Sequence, residues 1–360
     1  MNRRTFLLTP LALLAAGRKP NVVLIVARGW RGQATPWAGD PDLKAPRLEA
    51  FAKESLVFPR AYAAYPHPAP ARAAILTGRY PHSSGVIADG TSLAKDEITL
   101  DAVLRDAGYE TSRQVGAATD FLQKNRSAPF FLHILLEPPR ATLGGNWDEL
   151  HVRENVPSEA TQSVRAELAK RYTAYSDLDR QLGKILDGIK NTNTVVAFTS
   201  DCGEQVGSHG LQDDDIFYEE STRVPLAIRF PGVLHPSASD VPISHVDVMP
   251  TLLGLCSETL VEGMQGHDLA PLLMGGQGDR PESVFVEGRI GQKDEWRMLV
   301  LGFDKIVVNA AGDVTHLFNL AQDPYELNNL VHDPALNLKR AELLAIVRAT
   351  RSRLLDFKRR

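Results

Sequence analysis

Four features are scarce in this chain of 360 residues, and each scarcity excludes a class of protein. The two cysteines, Cys202 and Cys256, are too few for a disulfide framework, so we expect two separate thiols. A formal net charge of −4 offers no basic surplus and argues against nucleic acid as a partner. No apolar run reaches the ~20 residues that span a bilayer, and no internal repeat or low-complexity tract is present. What remains, 43% hydrophobic and 23% charged residues, is typical of a soluble globular protein.

The first 17 residues, MNRRTFLLTPLALLAAG, have the layout of a secretory signal. Arg3 and Arg4 precede a short apolar run that ends in small residues, and the paired arginines indicate the twin-arginine type. We expect cleavage after Gly17. The sequence therefore predicts an exported protein, periplasmic or extracellular, with no transmembrane segment.

Apolar runs alternate with helical patterns through most of the chain. Continuous runs rich in β-branched residues predict strands buried on both faces, at residues 22–27, 130–136, 194–200 and 224–230, with another strand at 56–64. Helical periodicity covers residues 47–56, about 99–108, 158–190 and 245–255. This alternation predicts an α/β fold around a mostly parallel sheet.

The pattern changes near residue 282. The segments VFVEGR, WRMLVLGFDKIVVN and VTHLFNL read as short strands separated by Gly and Asn turns, and a helical pattern fills residues 336–359. We therefore predict three parts: a signal peptide at 1–17, an α/β domain at 18–281 and a small α+β subdomain with an antiparallel sheet at 282–360.

Six motifs, in order, resemble the sulfatase family of the alkaline-phosphatase-like superfamily, and they cover nearly all of the chain after the signal. They are KPN with VVLIVA, ARAAILTGRYPHSSGV, FTSDCGEQVGSHGL with YEESTRVPLAIRFPG, ISHVDVMPTLLGL, QGHDLAPLL and HLFNLAQDPYELNNL. The resemblance implies an alkaline-phosphatase-like α/β/α sandwich with a small C-terminal antiparallel-sheet subdomain. It also implies hydrolysis of sulfuric esters as the family's activity.

The resemblance further implies a set of catalytic parts. The family's nucleophile is a Cys or Ser converted to formylglycine, four residues before an Arg in a C/S-x-P-x-R motif. A divalent cation, typically calcium, is held by two adjacent Asp after the first strand and by an Asp followed by Asn or His after a later one. Lysines and histidines neutralise the sulfate oxygens. Such a reaction needs an activated hydroxyl and fixed positive charge facing the transition state.

At these positions the chain departs from the family pattern. Counting back four from Arg72 gives Pro68, which has no hydroxyl or thiol. Arg28 and Gly29 replace the paired aspartates, and a guanidinium cannot ligate a cation. Five further family positions are altered. Cys202 stands beside Asp201 in place of Asn or His, and Asp214, five residues after His209, stands in place of a lysine. Ala117, Thr119 and Pro139 lie where a Lys and two His would fall.

No catalytic set is therefore intact, and only Arg72 and Asp201 of the expected polar groups remain. Because such groups act as a unit, we predict a catalytically inactive sulfatase homologue without the family's calcium ion. Its remodelled cleft would bind a small anionic or sulfated ligand if it is an open pocket lined by Arg72 and Arg31. Two alternatives stay open: an active sulfuric- or phosphoric-ester hydrolase with a rearranged site, and a purely structural protein whose cleft is filled.

The altered residues suggest two ion pairs. In one hypothesis Arg28 places its guanidinium where the cation would be and pairs with Asp201, and Asp214 faces Arg72. The alternative is that Arg28 and Asp214 point into solvent. The remaining candidates are interpreted as structural: His67, His82 and His209 as loop-shaping histidines rather than a transition-metal site, and Cys202 as a small buried thiol rather than a nucleophile. The acidic run 213–215 reads as a solvated loop, with a weak calcium contact as the alternative.

Overall fold

The structure is a computed structural model, and it describes residues 18–116, 118–124, 126–138, 149–189, 193–212 and 215–356. Within this part of the chain, none of the helices combines the length and the apolarity needed to cross a bilayer.

A seven-stranded sheet forms the centre of the molecule. Its strand order is β4-β5-β1-β6-β7-β2-β8, and the four strands from β4 to β6 run parallel. Strand β7 is antiparallel to both of its neighbours, while β8 runs parallel to β2. The strands are β1 Asn21–Ala27, β2 Leu56–Val57, β4 Glu110–Val115, β5 Phe130–Leu136, β6 Thr194–Ser200, β7 Leu226–Arg229 and β8 Ser237–Ala238. A separate parallel pair joins β3 Ala61–Tyr62 to β9 Ile243–Ser244.

Strand β1 divides the hydrophobic core into two halves. Successive side chains of a strand point to opposite faces, so Val22, Leu24 and Val26 enter one cluster and the residues between them enter the other. All of these side chains are fully buried. The continuous apolar run at residues 22–27 therefore corresponds to a strand that is covered on both faces.

Helices cover both faces of the sheet and complete three layers. They are α1 Pro46–Lys53, α2 Pro68–Thr77, α3 Pro81–Ser84, α4 Leu100–Asp106, α5 Thr119–Gln123, α6 Thr161–Gly188, α7 Glu219–Thr222, α8 Val248–Leu255, α9 Ala270–Leu273 and α10 Asn337–Asp356. Helices α2, α4 and α8 pack on one face, whereas α1 and the long α6 pack on the other. The α/β fold with a mostly parallel central sheet is confirmed.

A second sheet follows in sequence and is wholly antiparallel. It runs β10-β11-β12-β13, with strands Ser283–Gly288, Trp296–Leu301, Asp304–Asn309 and Val314–Asn319. One face buries Leu343 and Val347 of α10, and the other packs on Tyr62 and Phe217 of the larger part. The predicted small antiparallel sheet with one closing helix is confirmed.

Two local predictions were wrong. Residues 56–64 do not form one strand: Pro59, which has no N–H to donate, separates β2 from β3. Strand β4 was not predicted because its sequence, ETSRQV, is polar. It is an edge strand that buries little of its surface, so it carries no apolar pattern.

A fully buried ammonium links the antiparallel sheet to helix α7. Lys305 of β12 is 0% exposed and lies 2.7 Å from Oε1 of Glu326 and 3.1 Å from Oε1 of Glu219, the first residue of α7. Burial acts to lower the pKa of Lys305, but the two carboxylates outweigh it and raise that pKa. The ion cluster is therefore a charged contact across the junction between the two parts.

We predict that Lys305→Met destabilises the protein by about 3–5 kcal/mol, because it leaves the buried Glu326 without its ion pair and Glu219 with only the more distant Arg223. Denaturant unfolding measures the change. The matched control is Lys339→Met, which removes an exposed pair with Asp304 and should cost less than about 1 kcal/mol. Equal, small costs for the two variants would contradict a structural role for the buried cluster.

Candidate functional site

The candidate site lies where two central strands end side by side. Strands β1 and β6 are paired in parallel, with Ala27 opposite Ser200, and the N–H of Asp201 donates to the carbonyl of Ala27 at 3.0 Å. The segments that follow these strands, which begin at Arg28 and Asp201, therefore meet at the carboxyl edge of the sheet. Open α/β sheets place their ligands at this edge.

Asp201 is fully buried and all of its described contacts are to hydrogen-bond donors or a thiol. Its Oδ1 accepts from the N–H groups of Gly29 and Cys202, each at 3.0 Å, and its Oδ2 accepts from Nη1 of Arg72 at 3.1 Å. Burial raises the pKa of Asp201, while the Gly29 N–H and the Arg72 guanidinium oppose that rise. The carboxylate is thus paired, as a buried charge must be.

The predicted pairing of Arg28 with Asp201 is wrong. The Nη1 of Arg28 instead contacts Oε1 of Glu137 at 3.3 Å, and both side chains are almost half exposed. The physical reason is the turn at Gly29, whose φ of +65° aims its own N–H, rather than the preceding side chain, at the carboxylate. A Cβ at Gly29 would also collide with the side chain of Glu204. The ion-pair partner of Asp201 is Arg72, which comes from helix α2.

Pro68 is the first residue of helix α2, directly after the cap residue His67. Proline suits this position because its φ is already helical and the N–H it lacks would have no partner in the helix. Arg72 follows one turn later, and its guanidinium points to Asp201. Helix α2 thus orients Arg72. At position 68, where the family resemblance implies a nucleophile, the proline side chain has no nucleophilic group.

Cys202 is buried beside the carboxylate, with its Sγ 3.8 Å from Oδ1 of Asp201. Cys256 is also buried, and burial raises the pKa of its thiol to about 12. Neither cysteine is in a disulfide, which confirms the prediction of two separate thiols.

His209 lies away from Asp201. It adopts a positive φ in the 3₁₀ turn Ser208–Gly210, stacks on the ring of Tyr218 at 3.6 Å and has its Nε2 3.1 Å from the amide of Asn155. Burial lowers the pKa of His209. The interpretation of His209 as a loop-shaping residue agrees with these contacts.

The other predicted histidines are also apart. His82 contacts the buried Glu287 through Nδ1, at 2.8 Å, and His67 lies 3.6 Å from the carboxylate of Asp89. Asp214, and with it the proposed pair with Arg72, lies outside the described residues, as do Ala117 and Pro139.

One group of metal-ligating side chains was not foreseen from the sequence. Ligand atoms of His209, Glu220 and Glu326 lie within 4.8 Å of one another. Both carboxylates already have cationic partners, since Lys305 contacts Glu326 and Arg153 lies 3.5 Å from Glu220. The group is best described as part of the buried ion cluster rather than as a cation site.

The donor set at Asp201 does not fit the cation that the family resemblance implies. Divalent cations of the calcium type take six or more oxygen ligands, with several carboxylates among them. Here one carboxylate faces two backbone N–H groups and the guanidinium of Arg72, and the charge of Arg28 also lowers its pKa. Positive charge therefore already balances Asp201.

Arg31 does not line an open pocket with Arg72, contrary to the arrangement that would favour a shared anion site. It is 2% exposed, its Nη2 donates to the hydroxyl of Tyr172 at 3.3 Å, and its guanidinium lies over that ring. Arg72 instead borders a cavity of about 340 Å³ between α2, β4 and β5, together with Arg113 and His133. Sequence reasoning missed both of these residues, because Arg113 is on the unpredicted β4 and His133 stands inside an apolar strand.

A layered α/β/α sandwich with its site at the carboxyl ends of β1 and β6 is the architecture of the alkaline-phosphatase-like superfamily. A model of the sulfatase family matches residues 20–117 and 115–257, more than half of the chain. A second model, described as the C-terminal part of N-sulphoglucosamine sulphohydrolase, matches residues 207–353. The chain belongs to the sulfatase family.

Similar proteins agree with this assignment. An ulvan-active sulfatase of Formosa agariphila is 25% identical, covering 90% of this chain and 80% of the relative. An endo-4-O-sulfatase of Bacteroides thetaiotaomicron is 25% identical, covering 87% of this chain and 88% of the relative. Among solved structures, a 2-O GAG sulfatase has a TM-score of 0.82 at 20% identity and covers 95% and 94% of the two chains. A phosphonate monoester hydrolase of Agrobacterium radiobacter has a TM-score of 0.81 at 20% identity, with 93% and 96% covered.

We predict that Arg72→Met destabilises the protein by about 3 kcal/mol at pH 8, because it leaves the buried Asp201 without its ion pair. Losing the guanidinium raises the folded-state pKa of Asp201 further, so the stability lost in the variant is small at acid pH and grows as the pH rises above the ordinary pKa of a carboxyl group. Urea unfolding at several pH values measures this effect, and the double variant Arg72→Met/Asp201→Asn should remove the pH dependence.

The matched control is Arg28→Met, which breaks only the exposed pair with Glu137 and should cost less than about 1 kcal/mol. If Arg28→Met proved as costly as Arg72→Met, the assignment of Arg72 as the principal counter-charge would fail.

Proposed function

We propose that this chain is an exported sulfatase-family protein that has no hydrolytic activity and that binds an anion through Arg72 rather than through an open cleft shared with Arg31, which is buried. The observation that carries the proposal is the ion pair of Arg72 with Asp201, a self-neutralised unit at the point where the family chemistry requires a cation. Pro68 at the nucleophile position supports the same conclusion, because its ring carbons can neither attack sulfur nor carry an aldehyde hydrate.

The number of catalytic groups that are replaced supports inactivity rather than slow activity. Catalytic groups act as a unit, and removing a nucleophile alone lowers the rate by on the order of 10⁴-fold or more. Here the nucleophile, the cation ligands beside β1 and the neutral ligand next to Asp201 are all replaced, by Pro68, Arg28, Gly29 and Cys202.

The relatives indicate which anions to consider. Their names describe sulfatases, one active on ulvan and one an endo-4-O-sulfatase, so a sulfated ligand is the first class to test. A sequence identity of about one quarter supports a shared fold and family. The reaction, however, depends on particular side chains, and those differ in this chain.

We predict no turnover of an aryl sulfate or an aryl phosphate by the purified protein, with or without added Ca²⁺, Mg²⁺ or Zn²⁺. Product release is followed spectrophotometrically, with a sulfatase that has an intact C/S-x-P-x-R motif assayed alongside. Metal-dependent turnover that disappears in an Asp201→Asn variant would overturn the proposal and establish an active hydrolase with a rearranged site.

We also predict that export depends on the arginine pair. Changing Arg3 and Arg4 to lysine should keep the protein in the cytoplasm, which fractionation and immunoblotting would detect, because twin-arginine signals are defined by that pair. Arg18→Lys, just beyond the expected cleavage site, is the matched control. Export of both variants to the same extent would rule out a twin-arginine signal, and a cytoplasmic unmodified protein would rule out export.

A further inference from the structure

We infer that the cavity between α2 and strands β4 and β5, here called the α2–β5 cavity, binds a small organic anion with a compact apolar body. The inference rests on the proposed function in one respect, that the protein holds such an anion without cleaving it. Among the described residues, Arg72 is the one that the cavity lining shares with the candidate site at Asp201.

The cavity is small and its body is apolar. Its volume of about 340 Å³ is near the lower end of the ~300–1,000 Å³ typical of small-molecule sites. Leu76 of α2, Leu135 of β5 and the loop residues Val86 and Leu93 form much of the wall. A single ring or a short alkyl chain matches these walls better than a sugar, whose hydroxyl groups would lose their water without finding partners.

Two guanidinium groups give the cavity its charge. Arg72 is 26% exposed and Arg113 is 52% exposed. Each is held from behind by a carboxylate, Asp201 for Arg72 and Asp101 for Arg113. A guanidinium has five N–H donors in a fixed fork, so donors remain on both residues for a ligand. None of the described residues that line the cavity is acidic.

A buried imidazole supplies the most specific feature. His133, in the middle of β5, is 7% exposed and lines the cavity, and neither of its ring nitrogens hydrogen-bonds to any other described residue. Burial, aided by the charges of Arg113 and Arg72, lowers the pKa of His133 to about 4, so it is neutral at pH 7 and keeps one N–H. A buried donor without an acceptor is costly, and the oxygen of a bound anion would satisfy it.

These three side chains together favour one ligand class. Two positive groups and one neutral donor suit a carboxylate or a sulfate, whereas the walls suit an aryl or alkyl group. An uncharged molecule of the same shape would fill the walls but would offer no anionic acceptor to the remaining N–H donors of the two guanidinium groups.

The test is isothermal titration calorimetry of the full protein at low salt with three probes of similar size: benzoate, phenyl sulfate and benzyl alcohol. We expect at least one of the two anions to bind saturably and the alcohol to bind at least tenfold more weakly. Comparing benzoate with phenyl sulfate tells which oxyanion the cavity prefers. Chromatography of the recovered phenyl sulfate shows whether it stays intact.

Arg113→Gln should weaken binding of the anion about tenfold or more, because it removes a charge-assisted hydrogen bond. The chain offers a matched control in Arg105→Gln. Arg105 also pairs with Asp101, at 3.4 Å, but it does not line the cavity, so this variant should bind like the unmodified protein. Ala69→Leu narrows the cavity from α2 while keeping both arginines and should also weaken binding, which keeps the test decisive if Arg113→Gln folds poorly.

Three results would overturn the inference: no saturable binding of either anion, equal affinity for the alcohol, or equal effects of Arg113→Gln and Arg105→Gln with no effect of Ala69→Leu. Hydrolysis of phenyl sulfate together with intact, Arg113-dependent binding of benzoate would instead contradict the proposed function alone. The two proposals can therefore fail separately.

Discussion

The parallel pairing of β1 with β6 is the constraint on which the rest of the site depends. Because Ala27 lies opposite Ser200, the chain leaves the sheet at two neighbouring points, and the turn at Gly29 meets Asp201 within hydrogen-bond distance. Strand β1 is buried on both faces and paired on both edges, so this register cannot slip without moving an entire hydrophobic set. The fold thus places the buried carboxylate of Asp201 at this edge of the sheet, independently of the side chains around it.

The partners of Asp201 determine what this carboxylate can do. A buried charge needs a counter-charge, and in this chain Arg72 provides it from the first turns of α2, just after the proline that begins the helix. The pair stabilises the junction of α2 with the sheet. The same arginine also borders the α2–β5 cavity, so one side chain contacts both the buried carboxylate and this cavity.

Much of the fold could be predicted from the sequence because it depends on apolar patterns. The runs at 130–136 and 194–200 became β5 and β6 with the expected bounds, since strands buried on both faces admit only apolar side chains. Strand β4 could not be predicted, because an edge strand needs no such pattern. In the site, the count back from Arg72 located Pro68, but the partner of Asp201 depends on the φ of Gly29, which composition and spacing do not reveal. His133 could not be predicted as a cavity residue either, because a single polar residue in an apolar strand gives no information about its neighbours in space.

The buried ammonium of Lys305 has a consequence for how the protein is made. Glu219 becomes part of the larger α/β unit 86 residues before the ribosome reaches Lys305, and Glu326 follows 21 residues after it. Until Lys305 has been synthesised, the carboxylate of Glu219 has the hydroxyl of Tyr62 and the more distant guanidinium of Arg223 as partners, but not the ammonium that lies 3.1 Å from it in the folded protein. The buried surroundings of Glu219 are therefore complete only after the antiparallel sheet has packed against α7. We accordingly expect the segment around α7 to reach its final packing together with the antiparallel sheet, later than the strands of the central sheet.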